Sequence, residues 1–99
     1  MVKHIAMFRF KDGVSAEERK EKAALIKERT EALLGVVPGV LELKVQIAPV
    51  GTSTHDLLLE AMFESQEALS QYQVHPDHLA IGQIFRQVCE GRACYDYEA

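Results

Sequence analysis

Two stretches decide the architecture: Val40-Leu41-Glu42-Leu43-Lys44-Val45-Gln46-Ile47 and Asp56-Leu57-Leu58-Leu59-Glu60-Ala61-Met62-Phe63. The first alternates cleanly. Leu41, Leu43, Val45 and Ile47 share one face; Glu42, Lys44 and Gln46 share the other. A period of two marks a half-buried strand. The second puts Leu57, Leu59, Ala61 and Phe63 on one face and Asp56, Leu58, Glu60 and Met62 on the other. That second face is only partly polar, so it is not expected to meet open water. Only a polar loop, Pro49 to Thr54 with Gly51, separates the two strands.

Working outward, Lys3 to Phe10 reads as another strand, with His4, Ala6, Phe8 and Phe10 on one face and Lys3, Ile5, Met7 and Arg9 on the other. Lys11-Asp12-Gly13 signals a turn. Ser15 with Glu18 three residues on forms a capping box that opens a helix. Ala23, Ile26, Thr30 and Leu33 recur at helical spacing, joined by Leu34. Gly35 fits the C′ position and Pro38-Gly39 a turn. Downstream, Ser65 caps a short helix from Gln66 to Gln73, with Ala68, Leu69 and Tyr72 inward. Tyr72-Gln73-Val74-His75-Pro76-Asp77-His78 then reads as a corner, because Pro76 disfavours helical geometry at His75 and can itself open a new helix. A second helical piece spans Asp77 to Val88. Ala93 to Tyr97 closes the chain as a fourth strand.

The order β-α-β-β-α-β predicts an α+β, ferredoxin-like protomer, one domain over residues 1–99. It has a four-stranded antiparallel sheet with helices on one face. The sheet's other face carries Ile5, Met7, Leu58 and Met62 among charged groups. A face that apolar invites a partner, and a homodimer burying sheet against sheet is the simplest expectation.

Eleven basic and fifteen acidic residues leave a net charge of −4, which argues against a nucleic-acid partner. The charge-dense run from Glu17 to Glu31 mixes both signs and suits a solvated helix face. No signal peptide or membrane-spanning run is evident, so a cytoplasmic location is expected, with Cys89 and Cys94 as free thiols. No H-x-x-x-H, H-E-x-x-H, G-x-S-x-G, phosphate-binding or dinucleotide-binding motif occurs, and neither metal nor organic cofactor is expected.

The corner gathers two imidazoles, a phenol and a carboxylate. It is where chemistry is expected, if the chain performs any. His78, in the first turn of its helix, sits where the helix dipole disfavours an imidazolium, so it suits a general base. Tyr72, across the corner, can donate to a carbonyl and stabilise a developing enolate. His4 lies among apolar neighbours on its strand and is a candidate for binding a ligand or Asp96. Asp96 alternates with Tyr95 and Tyr97, points opposite to them, and is a candidate for orienting a histidine. His75 is the remaining ligand-binding candidate, although its ring is expected to bond local backbone and hold the corner.

The whole chain resembles the stress-responsive dimeric α/β-barrel (Dabb) family. The resemblance is carried by Val2-Lys3-His4-Ile5, Phe8-Arg9-Phe10-Lys11-Asp12-Gly13, Pro38-Gly39-Val40, Phe63-Glu64-Ser65, the Tyr72-to-His78 corner and Tyr95-Asp96-Tyr97. It implies a dimer in which two sheets close into a barrel. It also implies the site of a plant polyketide cyclase of the family, which performs an intramolecular aldol step without a cofactor. That enzyme's reacting histidine and tyrosine match His78 and Tyr72, and two further pocket residues match His4 and Asp96. Where its first helix is lined with bulky aromatics, this chain offers Ala23, Ala24 and Ile26. The resemblance supports a homodimer that binds a small, largely apolar molecule. The alternatives are a cofactor-independent cyclase or isomerase using His78 and Tyr72, and a structural dimer with a filled core.

Overall fold

A computed structural model describes residues 1–99. The elements are β1 (Val2–Phe10), α1 (Ala16–Glu31), β2 (Val40–Gln46), β3 (Leu57–Phe63), α2 (Gln66–Val74), α3 (Pro76–Val88) and β4 (Cys89–Glu98). The strands form one antiparallel sheet in the order β2-β3-β1-β4. This is the ferredoxin-like arrangement, with the corner dividing the second helix into α2 and α3.

The core lies between one sheet face and the helices. Val2, Ala6, Phe10, Leu43, Val45, Leu57, Leu59, Ala61 and Phe63 come from the sheet; Ala23, Ile26, Ala68, Leu69, Tyr72 and Ile81 come from the helices. Fully burying a side chain such as Ile26 or Phe63 contributes about 1.5–3 kcal/mol. The Ser15 hydroxyl accepts the Glu18 backbone N–H at 3.1 Å, and the Ser65 hydroxyl accepts that of Ala68 at 3.1 Å. Each satisfies an N–H that an unadorned helix end would leave open. A polar clamp holds the end of α1 to β2: the Glu31 carboxylate accepts from the Lys27 ammonium at 2.8 Å and from the Val45 N–H at 3.0 Å, while Lys27 donates to the Val45 carbonyl at 2.6 Å.

Some local expectations change. Val40 pairs with Phe63 and Glu42 with Met62, so Leu41 is an extra residue in a β-bulge. It is exposed rather than in register with Leu43 and Val45. Ile47 lies past the end of β2, though still against the core. β4 begins at Cys89, four residues before the expected start, and follows α3 without a loop. Between the pairs Met7–Ala93 and Arg9–Glu90 it too carries a bulge, with Gly91 at φ +65. α1 ends at Glu31 with Ala32 as its C-cap, and Gly35, at φ +86, sits in the turn beyond it instead of at C′; Leu34 is exposed. In the Pro38-Gly39 turn, Gly39 has φ +81, and its carbonyl accepts the Glu64 N–H at 2.9 Å.

The other sheet face carries Ile5, Met7, Leu58 and Met62, all half-buried, beside the exposed Tyr95 and Tyr97. No helix is long and apolar enough to cross a membrane.

Candidate active site

Pro76 is the first residue of α3, and His75 is both the last cap of α2 and the first cap of α3. The His75 N–H donates to the Tyr72 carbonyl at 3.2 Å, its carbonyl accepts the Leu79 N–H at 2.9 Å, and its ring Nδ1 accepts the Asp77 N–H at 3.2 Å. The corner is therefore held by His75. Its ring does not line the cavity described next.

A cavity of about 310 Å³ opens between α1, α2, α3 and the sheet. Its polar lining includes His4, Thr30, Tyr72, Gln73 and His78; its apolar walls include Phe8, Leu59, Ile81 and Phe85. The exposed Arg86, Glu90 and Arg92 stand at its mouth. Tyr72 and His78 thus share one cavity although six residues and a proline separate them. Their rings lie 4.3 Å apart, and Tyr72 packs on Phe63 at 5.0 Å.

His78 has a defined proton arrangement. Its Nδ1 lies 3.2 Å from the Gln73 carbonyl, which can only accept, so Nδ1 carries the proton and donates. Nε2 is then the nitrogen able to take a proton. Burial pushes the His78 pKa below its ordinary value of 6.5, more than the Gln73 bond raises it, and the Arg92 charge acts in the same direction as burial. The ring is therefore neutral at physiological pH. Burial also pushes the Tyr72 phenol far above its ordinary pKa, so it stays protonated and able to donate. Its hydroxyl has no hydrogen-bond partner within the protein.

His4 is buried on β1, opposite Asp96 of β4, and its Nδ1 donates to the Asp96 carboxylate. Asp96 itself does not line the cavity; it fixes the ring that does. As expected from the alternation, it lies on the face opposite Tyr95 and Tyr97. Sequence reasoning missed two neighbours. The Cys94 thiol lies 3.5 Å from the Asp96 carboxylate and 3.6 Å from His4 Nδ1. Its pKa is raised, chiefly by burial and then by Asp96, so it is a donor and not a thiolate. These three side chains could together hold a metal ion, their donor atoms lying within 4.8 Å of one another, but in the structure they satisfy each other. The second missed residue is Thr30. It is buried on α1, lines the cavity, and its hydroxyl also lacks a partner. It is the one α1 residue at the cavity: Ala23 and Ile26 belong to the core, and Ala24 is exposed. Cys89 and Cys94 are both free thiols; burial raises the Cys89 pKa to about 11, which leaves it inert.

A family model for the stress responsive A/B barrel domain matches residues 2–99. The chain belongs to that family. Among its relatives, olivetolic acid cyclase of Cannabis sativa is 27% identical over 101 residues, spanning 97% of this chain and 94% of its own. A stress-response A/B barrel domain-containing protein of Arabidopsis thaliana is 29% identical over 103 residues, spanning 98% of this chain and 88% of its own. The crystal structure of a dimeric ferredoxin-like protein from Bacteroides fragilis superposes with a TM-score of 0.93 at 33% identity, covering 99% of this chain and 95% of that one. In this A/B barrel chain the Tyr72-to-His78 corner brings a cavity and a proton acceptor together.

Proposed function

We propose that this A/B barrel protein is a cytoplasmic homodimer whose cavity binds a small, largely apolar molecule carrying a carbonyl or hydroxyl oxygen. The observation that carries the reading is the Tyr72 hydroxyl: buried, protonated and without a protein partner, on a cavity whose walls include Phe8, Leu59, Ile81 and Phe85. An unsatisfied buried hydroxyl costs about 1–3 kcal/mol, which a ligand oxygen offsets. The test is a thermal-shift screen of aromatic and polyketide-like carbonyl compounds. A ligand at a hundred times its Kd stabilises the native state by about 2.7 kcal/mol. Tyr72→Phe should reduce the shift. The absence of any shift at millimolar compound would overturn the proposal.

One observation favours a catalytic reading of the same cavity: His78 is neutral with Nε2 as its proton acceptor, beside a phenol that can donate to an enolate oxygen. His78 would take a proton from the carbon next to a carbonyl, and Tyr72 would stabilise the oxyanion, as aldol cyclisation or isomerisation requires. This role is also supported by the relatedness to olivetolic acid cyclase. Exchange of the ligand's α-hydrogen for deuterium, followed by NMR, should occur with the wild type and fall sharply with His78→Gln. Equal rates would rule the base out.

The dimer reading rests on the apolar groups of the open sheet face and on the dimeric Bacteroides relative. Tyr95→Asp, on the exposed part of that face, should shift light scattering toward single-chain mass. Single-chain mass for the wild type at micromolar concentration would refute it.

A further inference from the structure

Thr30 occupies a position that a core would give to valine. Its neighbours at inward spacing are Ala23 and Ile26 on α1 and Leu33 in the turn just beyond it, all buried and apolar. A threonine inside a helix ordinarily returns its hydroxyl to a carbonyl one turn back. Here it makes no such bond: Thr30 Oγ1 is fully buried and has no partner in the protein. The two unpartnered buried side-chain groups of the molecule are this hydroxyl and that of Tyr72, and both residues line the one cavity. They come from different helices, α1 and α2. Two orphaned hydroxyls in the core would be a doubled cost with no return, whereas two hydroxyls at a ligand cavity are anchors.

We propose that Thr30 is a second hydrogen-bonding anchor, so that the ligand carries two oxygen functions on an apolar frame, one held at Tyr72 and the other at Thr30. This rests on the reading of the cavity as a ligand site and narrows it to a substrate class. Polar oxygens at two points of the cavity fix the molecule's orientation, and the apolar walls, Phe8, Leu59, Ile81 and Phe85, enclose the rest. The cavity's 310 Å³, at the roughly 30 Å³ that a water occupies in the liquid, takes about ten non-hydrogen atoms. A β-diketone with a butyl tail has that size and two oxygens; the methyl ketone of the same chain length has one.

The experiment compares these two probes, by calorimetric titration, on the wild type, Thr30→Val, Thr30→Ser and Tyr72→Phe. One neutral hydrogen bond changes affinity by about three- to tenfold. The wild type should prefer the diketone by that factor. Thr30→Val should lose the preference while binding the monoketone as before, and Thr30→Ser should keep it. The free Thr30→Val protein should melt no lower than the wild type, because no internal hydrogen bond is removed. A retained diketone preference in Thr30→Val overturns the assignment. So does a melting temperature lowered by about 4 °C or more, which would mean that the hydroxyl is satisfied within the protein. If Thr30→Val retains the preference and Tyr72→Phe loses it, this inference fails while the ligand site stands. If the wild type binds neither probe, both fail.

Discussion

Gly39→Ala tests how the corner is held against the sheet. Gly39 has φ +81, and a Cβ built on it would lie 2.6 Å from the Cβ of Ala68 on α2. Two effects add. An L-residue in the left-handed region costs about 1–2 kcal/mol. Two carbons sit comfortably at about 3.5–4.0 Å, so α2 must retreat by about an ångström, and overpacking of that kind costs about 1–3 kcal/mol. The sum is about 2–5 kcal/mol, a large share of the roughly 5–15 kcal/mol that stabilises a domain. Urea denaturation measures it, with an unchanged slope showing that the transition remains two-state. Ala68→Gly in the same background separates the terms. It costs about 1 kcal/mol alone through helix propensity, but it removes the clash, so the double mutant should show a favourable coupling of about 1–3 kcal/mol. The conformational term should persist. A loss below about 1 kcal/mol for Gly39→Ala, or no coupling with Ala68→Gly, would refute the reasoning. The consequence reaches the cavity, because Tyr72 lies one turn beyond Ala68 on the same helix and moves with it.

Two pH effects follow from the charged groups. The folded-state pKa of His78 lies below its ordinary 6.5, so protonation favours the unfolded chain. Its contribution to stability is present above about pH 6.5 and declines as pH falls toward the folded value; urea midpoints measured across that range should fall less for His78→Gln than for the wild type, and parallel curves would exclude the effect. Glu31 acts in the same direction in a more acidic range. The Lys27 hydrogen bond first, and then the Val45 N–H, hold its pKa below 4.5, so its stabilisation is present above that pH and is lost as acid protonates it. Glu31→Gln should lower stability at neutral pH and flatten the acid limb below pH 4.5; an unchanged acid limb would show that the clamp is not ionic.

The strands and helix starts were legible because their signals are local. Alternation needs only one strand, and Ser15 and Ser65 act within three residues of themselves. Pro76 likewise announced the corner, and the face of Asp96 followed from its tyrosine neighbours. The Leu41 bulge was not legible, since an extra residue is defined only by the partner strand that lacks one. The early start of β4 was not legible either, because a glycine such as Gly91 suits a turn as well as a strand bulge. Thr30 was hidden for another reason. A threonine in an apolar stripe is ordinary, and only the absence of a partner for its hydroxyl sets it apart. Cys94 joined His4 and Asp96 through strand register, which no spacing along one segment reveals.

The direct join of α3 to β4 leaves the cavity without slack on one side. Val88 ends the helix and Cys89 is already paired with Phe10. The mouth residues Arg86, Glu90 and Arg92 lie on both sides of that join, so the rim cannot swing on a loop of its own. To widen it, α3 must either bend the chain at one point or release the first pairs of an edge strand, next to a bulge where the ladder is already interrupted. Admission to the cavity and fraying of the sheet edge thereby become one event. Amide hydrogen exchange at Cys89 to Arg92 should slow when the cavity is filled.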